Sequence, residues 1–268
     1  MKKLFIVAST KGGVSKSFMT RLTYETMVEK WGKDKVILVD CDHRVQSTFK
    51  TYPDIALRFD LTSDQGRQKL AELGEECGDK NILIDFAGGS LTEIQELMRG
   101  QVNGSLFFDI YKDLGFEITV IVPFTYELNS QLAFKDIHEA YGDAGINVDY
   151  FFVQNLKGIT NEKEAATFFQ GYDGSLENIE NHKYLKDFVP QDYAIEKMGL
   201  DVNTLDKVGT TSNLMRIPQM PGNLAIWVHD AVKFKESEFA GFKTLLRISA
   251  TTYFNDIKNR LLLTNLLK

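Results

Sequence analysis

The stretch Lys11-Gly12-Gly13-Val14-Ser15-Lys16-Ser17 lies between two patterns that decide the fold. Before it runs Lys3-Leu4-Phe5-Ile6-Val7-Ala8-Ser9, short, apolar and partly β-branched, the signature of a buried strand. After it, from Phe18 to Trp31, Leu22, Met27 and Trp31 give a partly helical apolar spacing. A strand, a glycine-containing turn, Lys-Ser and a helix form the context in which a phosphate loop is expected. Backbone N–H groups from Gly12, Gly13, Val14, Ser15, Lys16, Ser17 and Phe18 would then surround a polyphosphate at the positive end of the helix. Lys16 would reach the β- and γ-phosphates, and the Ser17 hydroxyl would take one position on Mg²⁺. The bland alternative is a Gly-Gly turn carrying two exposed lysines.

The common phosphate loop asks for glycine at the places held here by Thr10 and Ser15. The stretch resembles instead the deviant Walker A motif, Lys-Gly-Gly-x-Gly-Lys-Ser/Thr, of the ParA/MinD family of P-loop ATPases. The resemblance implies that Lys11 reaches across an ATP-sandwiched homodimer to the partner's nucleotide. It also implies ATP and Mg²⁺ as cofactors, with Lys11, Lys16 and Asp40 as the catalytic set. Ser15 departs even from the deviant pattern. Glycine there has access to backbone angles that strain serine, so binding of ATP with slow hydrolysis is expected.

Further apolar runs follow at Val36–Val39, Ile82–Ile84, Ile118–Val122 and Val148–Val153, with helical segments between them. Continuous apolar character suits strands covered on both faces, and alternation with helices predicts a doubly wound α/β fold with a mainly parallel sheet. The whole chain, residues 1–268, is expected to be one P-loop domain. In such sheets ligands bind beyond the carboxyl ends of the strands, so the polar residues ending each run are the candidates.

The second run ends in Asp40-Cys41-Asp42-His43-Arg44. A carboxylate there can orient water by accepting a hydrogen bond, or can simply close the strand as a turn residue. In the family that the chain resembles, the residue matching Asp40 lies near the attacking water and Mg²⁺; His43 replaces a usual proline and is expected at the surface. The third run, Asn81-Ile82-Leu83-Ile84-Asp85, resembles a Walker B strand that delivers Asp85 to Mg²⁺ or its water shell. By the same resemblance Ala87-Gly88-Gly89 is a switch sensing the γ-phosphate. Asn155 is implied as the adenine contact, and Pro218, in Arg216-Ile217-Pro218, as a turn packed beside the base. Leu91 to Gly115 reads as helical, Leu128 to Ile137 as a core-facing helix, and residues 158–215 carry no legible motif.

The chain's net charge of −6 excludes a globally basic nucleic-acid footprint. Its two cysteines, Cys41 and Cys77, form no CxxC, which separates it from related iron–sulfur carriers and suits a reducing cytoplasm. No run is long enough to span a membrane, so a cytoplasmic protein is expected. A basic amphipathic helix is expected at about 238–268, with Phe254, Ile257, Leu261, Leu262 and Leu266 on one face. It would dock on the core, bind nonspecific DNA, or lie on a membrane surface, the last being least favoured.

The resemblance thus implies a ParA-like ATPase that dimerises on ATP. It would position or segregate a DNA (plasmid) or protein cargo, with a DNA-binding adaptor protein as partner. Two alternatives stay open: a non-hydrolysing nucleotide-dependent switch, suggested by Ser15, and an ATP-dependent metabolic synthetase of the same fold. Synthetases of that kind usually lack the signature lysine, which makes Lys11 the discriminating residue.

Overall fold

The structure is a computed structural model that describes residues 1–10, 12–88, 107–125, 148–156, 214–221, 224 and 243–268. Its strands form one parallel sheet in the order β3-β2-β4-β1-β5-β6-β7. Two compact units divide the chain, Met1–Ile121 with Asp136–Asp149, and Val122–Lys135 with Tyr150–Lys268.

In the first unit β1 (Lys2–Val7) lies between β4 (Asn81–Asp85) and β5 (Phe116–Phe124), parallel to both. β2 (Val36–Asp40) pairs with β4 on one side and with the two-residue β3 (Leu57–Arg58) on the other. Leu4, Phe5, Ile6, Val7, Leu38, Val39, Ile82, Leu83 and Ile84 are all fully buried, as continuous apolar strands require. The chain leaves β1 toward β2 and β3, then returns to β4 and β5 on either side of β1. The order therefore reverses at β1, which makes the loop after β1 the topological switch point where open α/β sheets bind ligands.

Helix α1 (Lys16–Trp31) starts directly after that loop and packs on β1, β2 and β4. It is buried almost all round from Phe18 to Met27, which explains why its apolar spacing looks only partly helical in sequence. Gly32, with φ of 92°, ends it. A five-residue helix, α2 (Ser47–Thr51), follows β2. Helix α3 (Asp64–Glu76) is capped by Ser63, whose hydroxyl accepts from the Gly66 N–H. Of the segment 91–115 expected to be helical, the described part holds α4 (Phe107–Asp113). The remainder, like the expected helix over 128–137, lies outside the described residues.

The second unit contains β6 (Asp149–Asn155) paired in parallel with β7 (Leu214–Ile217). Arg216 and Ile217, expected in a turn, are strand residues; only Pro218 lies beyond the strand. The terminal helix α5 (Thr244–Leu263) is shorter than the 238–268 expected, and residues 238–242 lie outside the described set. It buries Ala250, Tyr253, Phe254, Ile257 and Leu261, each large side chain stabilising the dock by about 1.5–3 kcal/mol. Leu262, expected on that face, is exposed, and Leu266 is buried beyond the helix. The Tyr253 hydroxyl donates to the Pro218 carbonyl at 2.9 Å. Among the described residues no helix is long and apolar enough to cross a membrane.

Candidate functional site

The loop between β1 and α1 is built on two left-handed residues, Gly13 at φ 74° and Ser15 at φ 77°. Glycine takes that conformation freely, whereas for serine it costs roughly 1–2 kcal/mol. Ser15 is the N-cap of α1, and its carbonyl accepts the first helical bond, from Met19 N–H at 2.9 Å. Its side chain makes no cap hydrogen bond. The expected conflict between serine and a glycine position is therefore present in the backbone. Gly12 and Gly13 are exposed, Val14 is buried and anchors the turn, and Lys16, Ser17 and Phe18 open the helix. Lys11 lies outside the described residues.

Lys16 is buried, and desolvation pulls its ammonium below the usual lysine range, while Asp85 and Asp42 hold it up. The cation thus sits in the field of carboxylates from two neighbouring strand ends. Asp40 and Asp85 are partners in register at the carboxyl ends of β2 and β4, and both are buried.

The two carboxylates are held differently. Asp40 has both oxygens engaged by backbone donors: Oδ1 accepts from Asp42 N–H at 2.8 Å and Oδ2 from Phe49 N–H at 2.7 Å. Burial pushes its carboxyl up, and those N–H groups pull it back. Asp85 Oδ2 accepts from the Thr48 hydroxyl at 2.6 Å, and Oδ1 has no hydrogen-bond partner despite being buried. Burial first, and the Asp40 charge second, raise the Asp85 carboxyl to about 6, against the pull of the Thr48 and Ser17 hydroxyls and Lys16. Asp42 organises the following turn, its Oδ1 accepting from Arg44 and Val45 N–H groups. His43, expected at the surface, is half-buried, and its Nε2 accepts from Arg44 Nε.

These residues fit a magnesium–nucleotide complex. Among the described residues no three His, Cys, Asp or Glu side chains gather into a metal cage. Mg²⁺ characteristically needs none, being held by one or two carboxylates, waters and substrate phosphates. A buried carboxylate oxygen with no partner, in electrostatic reach of the lysine and serine that open α1, would supply the anionic donor. Asn155 and Pro218 lie together in the second unit, at the ends of β6 and β7, where Leu156 N–H donates to the Ile217 carbonyl. Of the expected switch, Ala87 and Gly88 follow β4, and Gly89 lies outside the described residues. Thr48 went unmarked in the sequence. Its only signal there is a hydroxyl residue closely following Asp-x-Asp, and nothing local announces a partner 37 positions away.

No family model matches the chain, and no curated protein matches its sequence. Among solved structures it is similar to the MinD cell division protein of Aquifex aeolicus, at 13% identity and TM-score 0.48, covering 97% of this chain and 96% of that one. It is also similar to a candidate plasmid partition protein of Borrelia burgdorferi B31 bound to AMPPNP, at 13% identity and TM-score 0.47, over 98% and 99% of the two chains. A further Borrelia burgdorferi plasmid partition protein matches at 15% identity and TM-score 0.41, over 70% of this chain and 98% of that one.

Two outcomes are expected of the free protein. Ser15→Gly should keep or raise its stability, by up to about 1 kcal/mol, and Ser15→Val should lower it by about 2 kcal/mol, read by urea denaturation. Because the folded Asp85 carboxyl lies at about 6, above the usual aspartate value of about 4, the folded state binds the extra proton. Its contribution to stability therefore falls as pH rises from about 4 to 6. Asp85→Asn should flatten that slope and raise stability at pH 7 by on the order of 2 kcal/mol, measured as melting against pH without nucleotide.

Proposed function

We propose that the chain is a nucleotide-binding ATPase of the ParA type, which dimerises around ATP and positions a DNA or protein cargo. The observation that carries the reading is the pairing of a left-handed phosphate-type loop with the buried, half-satisfied Asp85 at the tip of the adjacent strand. Backbone N–H groups of residues 12–18 and the Lys16 ammonium bind the triphosphate. Ser17 and Asp85 hold Mg²⁺, which when bound neutralises phosphate charge and orients the γ-phosphate. Asp40 accepts a hydrogen bond from the attacking water. The new bond forms between water oxygen and the γ-phosphorus, and the bond to the β-phosphate bridging oxygen breaks. Asn155 and Pro218 are assigned to the adenine, and Lys11 to the nucleotide of the partner copy. A DNA-binding adaptor is the expected partner, with Lys243 and Arg247 of the terminal segment available to DNA because both are exposed.

A specific observation favours slow turnover, and with it the switch reading. Both Asp40 oxygens already accept backbone N–H groups, so fewer lone pairs are left to orient a water, and Ser15 strains the loop. Binding and dimerisation then carry the function, and hydrolysis acts as a slow reset.

Sizing with and without a nonhydrolysable ATP analogue tests dimerisation. The wild type should double in mass on adding the analogue; Lys16→Ala should bind no detectable nucleotide. Lys11→Ala should bind nucleotide and remain a monomer, and a dimer in that variant would refute the trans role. Steady-state phosphate release should lie at or below the bottom of the usual range of about 1–10³ s⁻¹. Ser15→Gly should raise it, and adding Asp40→Ala should abolish the gain while ATP still binds. Brisk wild-type turnover that falls in Ser15→Gly would contradict the strain argument.

A further inference from the structure

Helix α2 is too short to be stable through its own backbone bonds, so its place depends on what it touches. Three groups in and just beyond this single turn donate to three buried carboxylates from three different elements. The Thr48 hydroxyl donates to Asp85 Oδ2 on β4 at 2.6 Å. The Phe49 N–H donates to Asp40 Oδ2 on β2, and the Tyr52 hydroxyl to Glu25 Oε1 on α1, each at 2.7 Å. Tyr52 also packs edge-on against Tyr24, with ring centroids 4.9 Å apart. Hydrogen bonds to charged acceptors are the stronger kind, and burial makes each costly to break.

Thr48 uses its hydroxyl differently from three other helical threonines. Thr20, Thr26 and Thr51 donate to the carbonyl four residues back, the ordinary use of a hydroxyl on a helix. Thr48, fully buried, donates instead to a carboxylate on another element. The consequence falls on Asp85. With Oδ2 taken, the carboxylate is held in one orientation, and Oδ1 alone is left without a partner in a residue 1% exposed.

We propose that Thr48 is a positioning residue for Asp85 in the magnesium–nucleotide site. Its hydroxyl fixes the carboxylate so that Oδ1 is reserved for the magnesium hydration shell, and the Asp40 and Glu25 bonds hold α2 so that the hydroxyl stays in place. This rests on the nucleotide reading above. It adds that the segment following Asp-x-Asp acts on the metal without touching it.

The test is the affinity for a nonhydrolysable ATP analogue, measured with excess Mg²⁺ and with EDTA, for the wild type, Thr48→Val and Thr48→Ser. Thr48→Val should lose about 10–100-fold of the Mg²⁺-dependent gain in affinity, the usual cost of removing a group that orients a metal ligand. Its affinity in EDTA should stay within about twofold of wild type, and Thr48→Ser should restore the gain to within about threefold. A Thr48→Val protein that keeps the full gain overturns the proposal, as does one that loses affinity equally with and without Mg²⁺, or a serine that fails to rescue. If Thr48→Val does not fold, Tyr52→Phe removes the Glu25 bond and should cost part of the same gain; an unchanged gain overturns the proposal. A wild type that binds nucleotide with no Mg²⁺-dependent gain defeats this inference and leaves nucleotide binding standing. A wild type that binds no nucleotide defeats both.

Discussion

Two carboxylates side by side in a buried place are the constraint on which the first unit depends. Parallel pairing of β2 with β4 puts Asp40 opposite Asp85, and both side chains are almost wholly removed from water. Burial and mutual repulsion each oppose charge there, and the raised Asp85 carboxyl records the sum. Such an arrangement persists only if its surroundings compensate. The N–H groups of Asp42 and Phe49 do so for Asp40, and Thr48 with the nearby Lys16 does so in part for Asp85. The uncompensated remainder is Asp85 Oδ1, a buried acceptor with no hydrogen-bond partner.

The same logic accounts for the loop after β1. A site for a polyphosphate needs its N–H groups and lysine close together, and a left-handed turn achieves that in few residues. Gly13 adopts it without cost and Ser15 does not. Strain at functional positions is common where the rest of the structure determines them. Here the anchors are the buried Val14 on one side and the nearly all-round burial of α1 on the other. A loop held so firmly suits tight binding more than rapid cycling, which is why the reading places function in the bound state.

What the sequence made legible follows from how local each signal is. The buried strands β1, β2, β4, β5 and β6 are continuous apolar runs, and a run is visible without knowing its neighbours. The β1–α1 loop, Asp40 and Asp85 stand at the ends of those runs, so a candidate site is legible along with the strands. β3 has two exposed residues, and its identity comes wholly from pairing with β2. β7 carries a fully buried Arg216, whose Nε donates to Gln154 on β6 at 3.0 Å; a charge in the middle of a strand hides it from any hydropathy pattern. Thr48 was illegible for the same reason, because its role is a contact with a residue far along the chain. On the terminal helix, the apolar spacing puts Leu262 on the buried face, but the stripe through Ala250, Tyr253, Phe254, Ile257 and Leu261 leaves it outside.

The central claim is that one compact place joins the β1–α1 loop to Asp85 around a metal-bound nucleotide. Anomalous scattering from crystals grown with Mn²⁺ and a nonhydrolysable ATP analogue tests it most directly. The account predicts the nucleotide phosphates within the loop formed by residues 12–18, and a manganese peak beside the Ser17 hydroxyl. Asp85 Oδ1 should meet that ion directly or through one water. A nucleotide bound elsewhere, or a manganese ion with no contact to Ser17 or Asp85, would contradict it.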